Sequence, residues 1–90
     1  MNWRFKGTPT FWKSLYRLPL QQQETARRVF QIFKINPFDP RLHTHKIHHL
    51  SAHYGRTIHA VRVEGDLRVI FYLEGNAVIT VDIGTHAIYR

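Results

Sequence analysis

The sequence predicts an α+β fold: an N-terminal helical hairpin packed on one face of a twisted antiparallel β-sheet. Three observations predict it. Apolar residues in the first third recur at helical spacing and are interrupted by Pro19 and Pro37. From residue 42 onward the chain changes to runs rich in Val, Ile, Leu and aromatics, the composition of strands. Two of the breaks between those runs, Glu64-Gly65-Asp66 and Glu74-Gly75-Asn76, carry the residues that tolerate positive φ in tight hairpin turns.

Residues 2–7 set Trp3 and Phe5 against Arg4 and Lys6, a short strand at a sheet edge. Thr8-Pro9 reads as an N-cap followed by proline at the first helical position, where its missing N–H is harmless. Phe11, Trp12, Leu15 and Leu18 continue at helical spacing until Pro19. A second helix is expected over 20–35, with Ala26, Val29, Phe30 and Phe33 as its buried stripe and Gln21, Gln22, Gln23, Glu24, Arg27, Arg28 and Lys34 on its wet side. Asn36-Pro37 stops it, and Pro37-Phe38-Asp39-Pro40 makes a turn. Four strands are expected over 42–50, 57–64, 67–73 and 77–83, the last three as a meander. Arg62 points away from Val61 and Val63, and Arg68 away from Val69, so the face opposite the helices is expected to be partly polar.

Ninety residues make one domain, 1–90, with a modest core; such a chain buries roughly 60–65% of its unfolded surface. Thirteen Lys and Arg against six Asp and Glu give a net charge of +7, and seven histidines can add to it in acid. A pI near 10.4 points to anionic partners. The charge is uneven: residues 1–63 carry +9 and residues 64–90 carry −2. With no cysteine, a disulfide framework, thiolate chemistry and thiolate zinc sites are excluded. The longest obvious apolar run, Val69-Ile70-Phe71-Tyr72-Leu73, is far too short to span a bilayer, and the N-terminus lacks a signal-peptide apolar stretch. A cytoplasmic protein without membrane contact is expected.

Four features carry candidate chemistry. His43, His45, His48, His49, His53 and His59 invite a metal reading, but in the expected strand His43, His45 and His49 share one face and His48 the other, leaving no clean three-ligand set. Arg62 and Arg68 flank one tight turn containing Asp66, and two guanidinium groups on an exposed sheet face can hold a phosphodiester. The bland reading pairs Arg68 with Asp66, Asp82 or Glu64. At the C-terminus Gly84 breaks the last strand, and His86 and Tyr89 beyond it can fold back, the one to exchange a proton and the other to stack on a base. Lys13, Arg17, Arg27, Arg28 and Lys34 form a basic helix side able to track a phosphate backbone.

The order of these pieces resembles a known family. Phe11-Trp12, Leu18-Pro19, Asn36-Pro37, His45-Lys46-Ile47, Asp66-Leu67-Arg68-Val69-Ile70-Phe71 and Ile83-Gly84-Thr85-His86 together resemble the RelE/ParE superfamily of bacterial toxins, nearest the RelE- and YafQ-like messenger-RNA interferases. The likeness runs from about Phe5 to Arg90. It implies the same fold, reached independently above, and a role for each matching residue. His45 fits the family's second-strand His, and Asp66 the Asp of its Asp-Trp pair after the third strand. Leu67 replaces a Trp, and Arg62 stands where a second His would be. Arg68 matches the superfamily's fourth-strand arginine, His86 the terminal Gly-Thr-His histidine, and Tyr89 the aromatic that follows it.

The implied activity is endoribonucleolytic cleavage of messenger RNA at the ribosome. RNA supplies its own nucleophile, the ribose 2′-OH. The enzyme needs a base, an acid and cations around the crowded phosphorane, and no metal or cofactor. His86 and His45 are expected to form the proton-transfer pair. Arg68 and Arg62 would stabilise the phosphoryl charge, Asp66 would orient a histidine or take a proton, and Tyr89 would hold the nucleotide. Lys46, Arg56 and Arg90 are expected to bind RNA. The resemblance also implies a toxin of a type II toxin–antitoxin system, held by a cognate acidic antitoxin and oligomeric only through that complex. Two alternatives are a ParE-like gyrase poison and a degenerate member that only binds its antitoxin.

Overall fold

The computed structural model describes residues 2–85 and 88. Its elements are β1 (Arg4–Gly7), α1 (Pro9–Arg17), α2 (Leu20–Phe33), a 3-10 turn (Pro40–Leu42), β2 (His45–Lys46), α3 (His48–Tyr54), β3 (His59–Glu64), β4 (Leu67–Glu74) and β5 (Ala77–Gly84). The five strands form one sheet in the order β1-β5-β4-β3-β2. Neighbours pair antiparallel except β1, which runs parallel to β5. The sheet is therefore mixed at one edge, because α1 and α2 intervene between β1 and the meander and return the chain in β1's own direction.

The helical hairpin forms as the prolines predict. Thr8 caps α1: its hydroxyl accepts from the Phe11 N–H at 3.1 Å, with Pro9 in the first turn. The same hydroxyl donates to the Val81 carbonyl at 2.7 Å. That carbonyl lies where the pairing of β4 with β5 slips by one residue, between Ile70↔Asp82 and Phe71↔Thr80. The β-bulge thus anchors the helix start. Gln23 closes the hairpin by donating its Nε2 to the Leu18 carbonyl at 2.8 Å.

Two core clusters lie between this hairpin and the sheet. One joins Phe11, Leu15 and Ala26 to Val63, Leu67, Val69 and Ile83; the other joins Phe33 and Leu42 to Val61, Phe71 and Val78. A third lies on the reverse of the sheet, where Ile47 and Leu50 cover Ile58, Ala60 and Ile70, with Tyr72, Val81 and Ile88 around them.

That third cluster corrects the expected strand over 42–50. Only His45 and Lys46 are in a strand; residues 40–42 form the 3-10 turn and 48–54 form α3. Ile47 and Leu50 lie one helical turn apart and hold α3 to the sheet, and Gly55 at φ 69° ends it. The expected sharing of one strand face by His43, His45 and His49 is overturned with it. Among the described residues no group of three or more His, Asp or Glu could hold a metal ion, and no helix is long and apolar enough to cross a membrane.

Candidate functional site

The site face is the side of the sheet that carries α3. Directly opposed residues of paired strands point to the same face. Arg62 of β3 stands opposite Arg68 of β4, and Arg68 stands opposite Gly84 of β5. His45 of β2 stands opposite Ala60, two residues before Arg62 and on the same face. His45, Arg62 and Arg68 are therefore brought to one side, towards the end of the sheet where the β3–β4 turn carries Asp66.

A β-bulge makes this register. The turn closes with Glu64 opposite Leu67, so a regular ladder would next set Val63 opposite Arg68. The pairing instead slips between Arg62 and Glu64, which puts the two arginines face to face. Val63 stays buried against the helices while Arg62 is exposed. Two like charges directly opposite destabilise a sheet. A bound anion would offset that repulsion.

The arginines are held differently. Arg68 folds onto the turn, its Nη1 donating to the Gly65 carbonyl at 2.6 Å and the Leu67 carbonyl at 3.3 Å. These two carbonyl acceptors fix the position of the guanidinium. Arg62 makes no hydrogen bond or ion pair among the described residues.

His45 is oriented by the loop before it. Arg41 grips Asp39 through two bonds of 3.0 Å, and Thr44 donates to the Pro37 carbonyl at 2.6 Å. The guanidinium of Arg41 draws the Asp39 carboxyl down to about 2, so the clasp stays ionised across the physiological range. His43 takes the left-handed conformation, φ 52°, and its carbonyl lies 2.9 Å from Nδ1 of His45. A carbonyl only accepts, so Nδ1 donates. Nε2 is then the nitrogen left to exchange a proton.

Other expected residues lie elsewhere. Lys46 stands opposite His59 on the helix side, facing away from His45. His59 packs there between Phe38 and Phe71, its Nδ1 buried without a partner among the described residues. Burial chiefly, with Lys46 and His45 adding to it, pushes the His59 pKa below its ordinary value. Arg56 lies at the other end of β4 from Arg68: it stacks 4.2 Å above the Tyr72 ring and pairs with Glu74 at 3.0 Å. His86, Tyr89 and Arg90 lie outside the described residues.

Gly84 has a packing reason. A Cβ on it would come 2.6 Å from Cγ2 of Ile88, which packs on the third cluster. Ile88 therefore lies on the site face, its N–H donating to the Thr85 carbonyl at 3.0 Å. The reasoning from sequence missed α3 and the His43 carbonyl. The spacing of Ile47 and Leu50 and the following Gly55 were the signals for the first.

No family model matches the sequence, and no curated protein matches it closely. Solved structures do match. The chain is similar to a chain of the archaeal RelE–RelB complex from Pyrococcus horikoshii, with TM-score 0.72 and 19% identity, covering 94% of this chain and 96% of that one. It is similar to one from the Escherichia coli DinJ–YafQ toxin–antitoxin complex, with TM-score 0.70 and 16% identity over 98% and 97% of the two chains. The fold is that of RelE and YafQ. A copper-bound mutant toxin from Helicobacter pylori has this RelE-like fold too, with TM-score 0.63 and 13% identity over 96% and 97%. At these identities the likeness fixes the architecture, α+β with a helical hairpin on one face of the sheet, as expected from the sequence.

Proposed function

We propose that this protein is the toxin of a type II toxin–antitoxin system and an endoribonuclease that cleaves messenger RNA at the ribosome. The observation that carries the reading is the register of Arg62 opposite Arg68, with His45 on the same face and Gly84 beside Arg68. Two positive charges at that spacing suit the two non-bridging oxygens of one phosphodiester. As the 2′-OH attacks, negative charge grows on those oxygens and the pair stabilises it. With Nδ1 committed to the His43 carbonyl, His45 transfers its proton through Nε2.

His86 is the second proton-transfer group of this proposal; it follows Gly84 and Thr85, at the end of the strand that lies beside Arg68. Tyr89 and Arg90 hold the nucleotide and its phosphate, and Asp66, in the turn at the same end, orients a histidine. Lys46 and Arg56 meet RNA only beyond the cleaved linkage. The partners are messenger RNA on the ribosome and an acidic antitoxin, whose charge suits the +7 chain; the setting is the cytoplasm. The neighbours crystallised as RelE–RelB and DinJ–YafQ complexes support the antitoxin.

The test is induction in growing cells with labelled precursors. Loss of methionine incorporation, with messenger cuts mapped by primer extension, supports the reading; His86→Ala should lower cutting at least about 100-fold, the scale of one proton-transfer group. Loss of thymidine incorporation with DNA double-strand breaks would replace it by gyrase poisoning.

A further inference from the structure

The bulge in β3 sends two side chains to opposite sides of one strand end. Arg62 stands opposite Arg68 and points to the site face. Glu64 stands opposite Leu67, which is buried against the helices, so Glu64 points to the helix side. β2 pairs only with His59 and Ala60, so among the described residues no strand lies along the edge of β3 beside Arg62 and Glu64. A cavity of about 380 Å³ opens at that edge, with Arg62 and Glu64 both in its lining. Val29, Ile32 and Val63 supply its apolar part, and the 3-10 turn brings Arg41 to it.

The polar groups of this cavity differ in what they have left to bind. Glu24, Asp39 and Glu74 each pair with an arginine, and Asp82 accepts from the Ile83 N–H at 2.8 Å. The Glu64 side chain makes no hydrogen bond or ion pair among the described residues, although the chain carries a net charge of +7. Arg41 bonds Asp39 through Nε and Nη2, which leaves its Nη1 for another acceptor. The bulge interrupts the ladder here, so the edge is a poor template for an added strand. A slot with apolar walls, one carboxylate and one guanidinium suits a flat heterocycle instead.

We infer that this cavity takes an unstacked guanine base of the RNA, with Glu64 accepting from its N1–H and N2 amine, Arg41 donating to its O6, and the adjoining phosphate on Arg62. An ionised carboxylate only accepts and a guanidinium only donates. Of the four RNA bases, guanine alone offers two adjacent donors beside an acceptor on its Watson–Crick edge, the edge by which splayed-out RNA bases are read. Adenine, cytosine and uracil would each set an acceptor against the carboxylate and leave it badly paired. The inference deepens the nuclease reading and rests on it: Arg62 and Arg68 hold the phosphate, and Glu64 selects the base beside it.

The probes are the 3′,5′-bisphosphates of guanosine, inosine, adenosine, cytidine and uridine, titrated into the full chain and followed by amide NMR shifts, with the Gly65 amide as the reporter in the cavity. The guanosine compound should bind at least about tenfold more tightly than the adenosine, cytidine and uridine compounds, the scale of a hydrogen bond to a charged group. Inosine lacks the N2 amine and should fall between. Glu64→Gln should erase the preference without weakening adenosine binding, and its amide spectrum shows that the fold is kept. Arg62→Gln should weaken all five alike. Equal affinity for the five, or a guanosine preference that survives Glu64→Gln, would overturn the inference. A Glu64-dependent guanosine preference without messenger cleavage on induction would sink only the nuclease reading; messenger cleavage with equal affinity for the five would sink only this one.

Discussion

Arg62 and Arg68 should behave oppositely when removed, and the difference can be worked out from their contacts. They face each other across β3 and β4, and like charges so placed destabilise by roughly 0.2–1 kcal/mol. Arg62→Gln removes that repulsion and breaks no bond among the described residues, so it should stabilise by about 0.5 kcal/mol at low salt. For a domain of this size that is a Tm rise of about 2–4 °C. Raising salt towards 1 M, where the Debye length is about 3 Å, should erase most of the gain. Arg68→Gln relieves the same repulsion but loses the bonds to the Gly65 and Leu67 carbonyls, about 1 kcal/mol, so its Tm should fall. Both variants should lose RNA affinity, and the slope of log K against log salt should shrink by about 0.7 for each lost phosphate contact. Calorimetry in a phosphate-free buffer and RNA anisotropy across a salt series measure the two effects. An Arg62→Gln protein that melts below wild type, or that keeps the full salt slope, would refute the reasoning.

Three further outcomes follow from the packing. Leu50→Ala should destabilise by about 2–4 kcal/mol in urea titration, since Leu50 and Ile47 hold α3 to the sheet. Gly84→Ala should cost about 1–3 kcal/mol by overpacking against Ile88, and adding Ile88→Ala should make the pair less than additive. His59 should make stability fall in acid. Its folded pKa lies below the ordinary value of 6.5, so on acidification the unfolded chain takes up the proton first. The contribution is complete above about pH 6.5 and is lost as pH falls from there through the folded value. Denaturation curves from pH 7.5 to 5 should show this slope, and His59→Phe should flatten it; an identical slope in that variant would exclude His59 as the source.

Much of the fold was legible because prolines and glycines punctuate it. Thr8-Pro9, Pro19 and Asn36-Pro37 bound the two long helices, and Gly65 and Gly75, both at positive φ, close the meander. The direction of β1 was not legible, since a strand of four residues carries no signal for the sense of its pairing. Nor was α3, because seven residues with three histidines show little periodicity. A stronger clue lay in β4. Val69, Ile70 and Phe71 are all buried, and an unbroken apolar run means that both faces of a strand are covered. Something therefore had to cover the reverse face, and the histidine-rich stretch was what remained to do so. At the site, the opposition of Arg62 and Arg68 was legible only as two arginines around one turn, because a one-residue bulge decides their register. The role of the His43 carbonyl depends on a left-handed residue that is not glycine, which no pattern announces.

The most direct measurement of the central claim uses a message whose cut site has been mapped on the ribosome and remade with a single 2′-deoxy sugar at that position. Attack by the 2′-OH on a phosphate held between Arg62 and Arg68 predicts that the deoxy message survives intact, while the natural one yields fragments ending in a 2′,3′-cyclic phosphate. Cleavage of the deoxy message at the natural rate, or fragments ending in a plain 3′-hydroxyl, would contradict it.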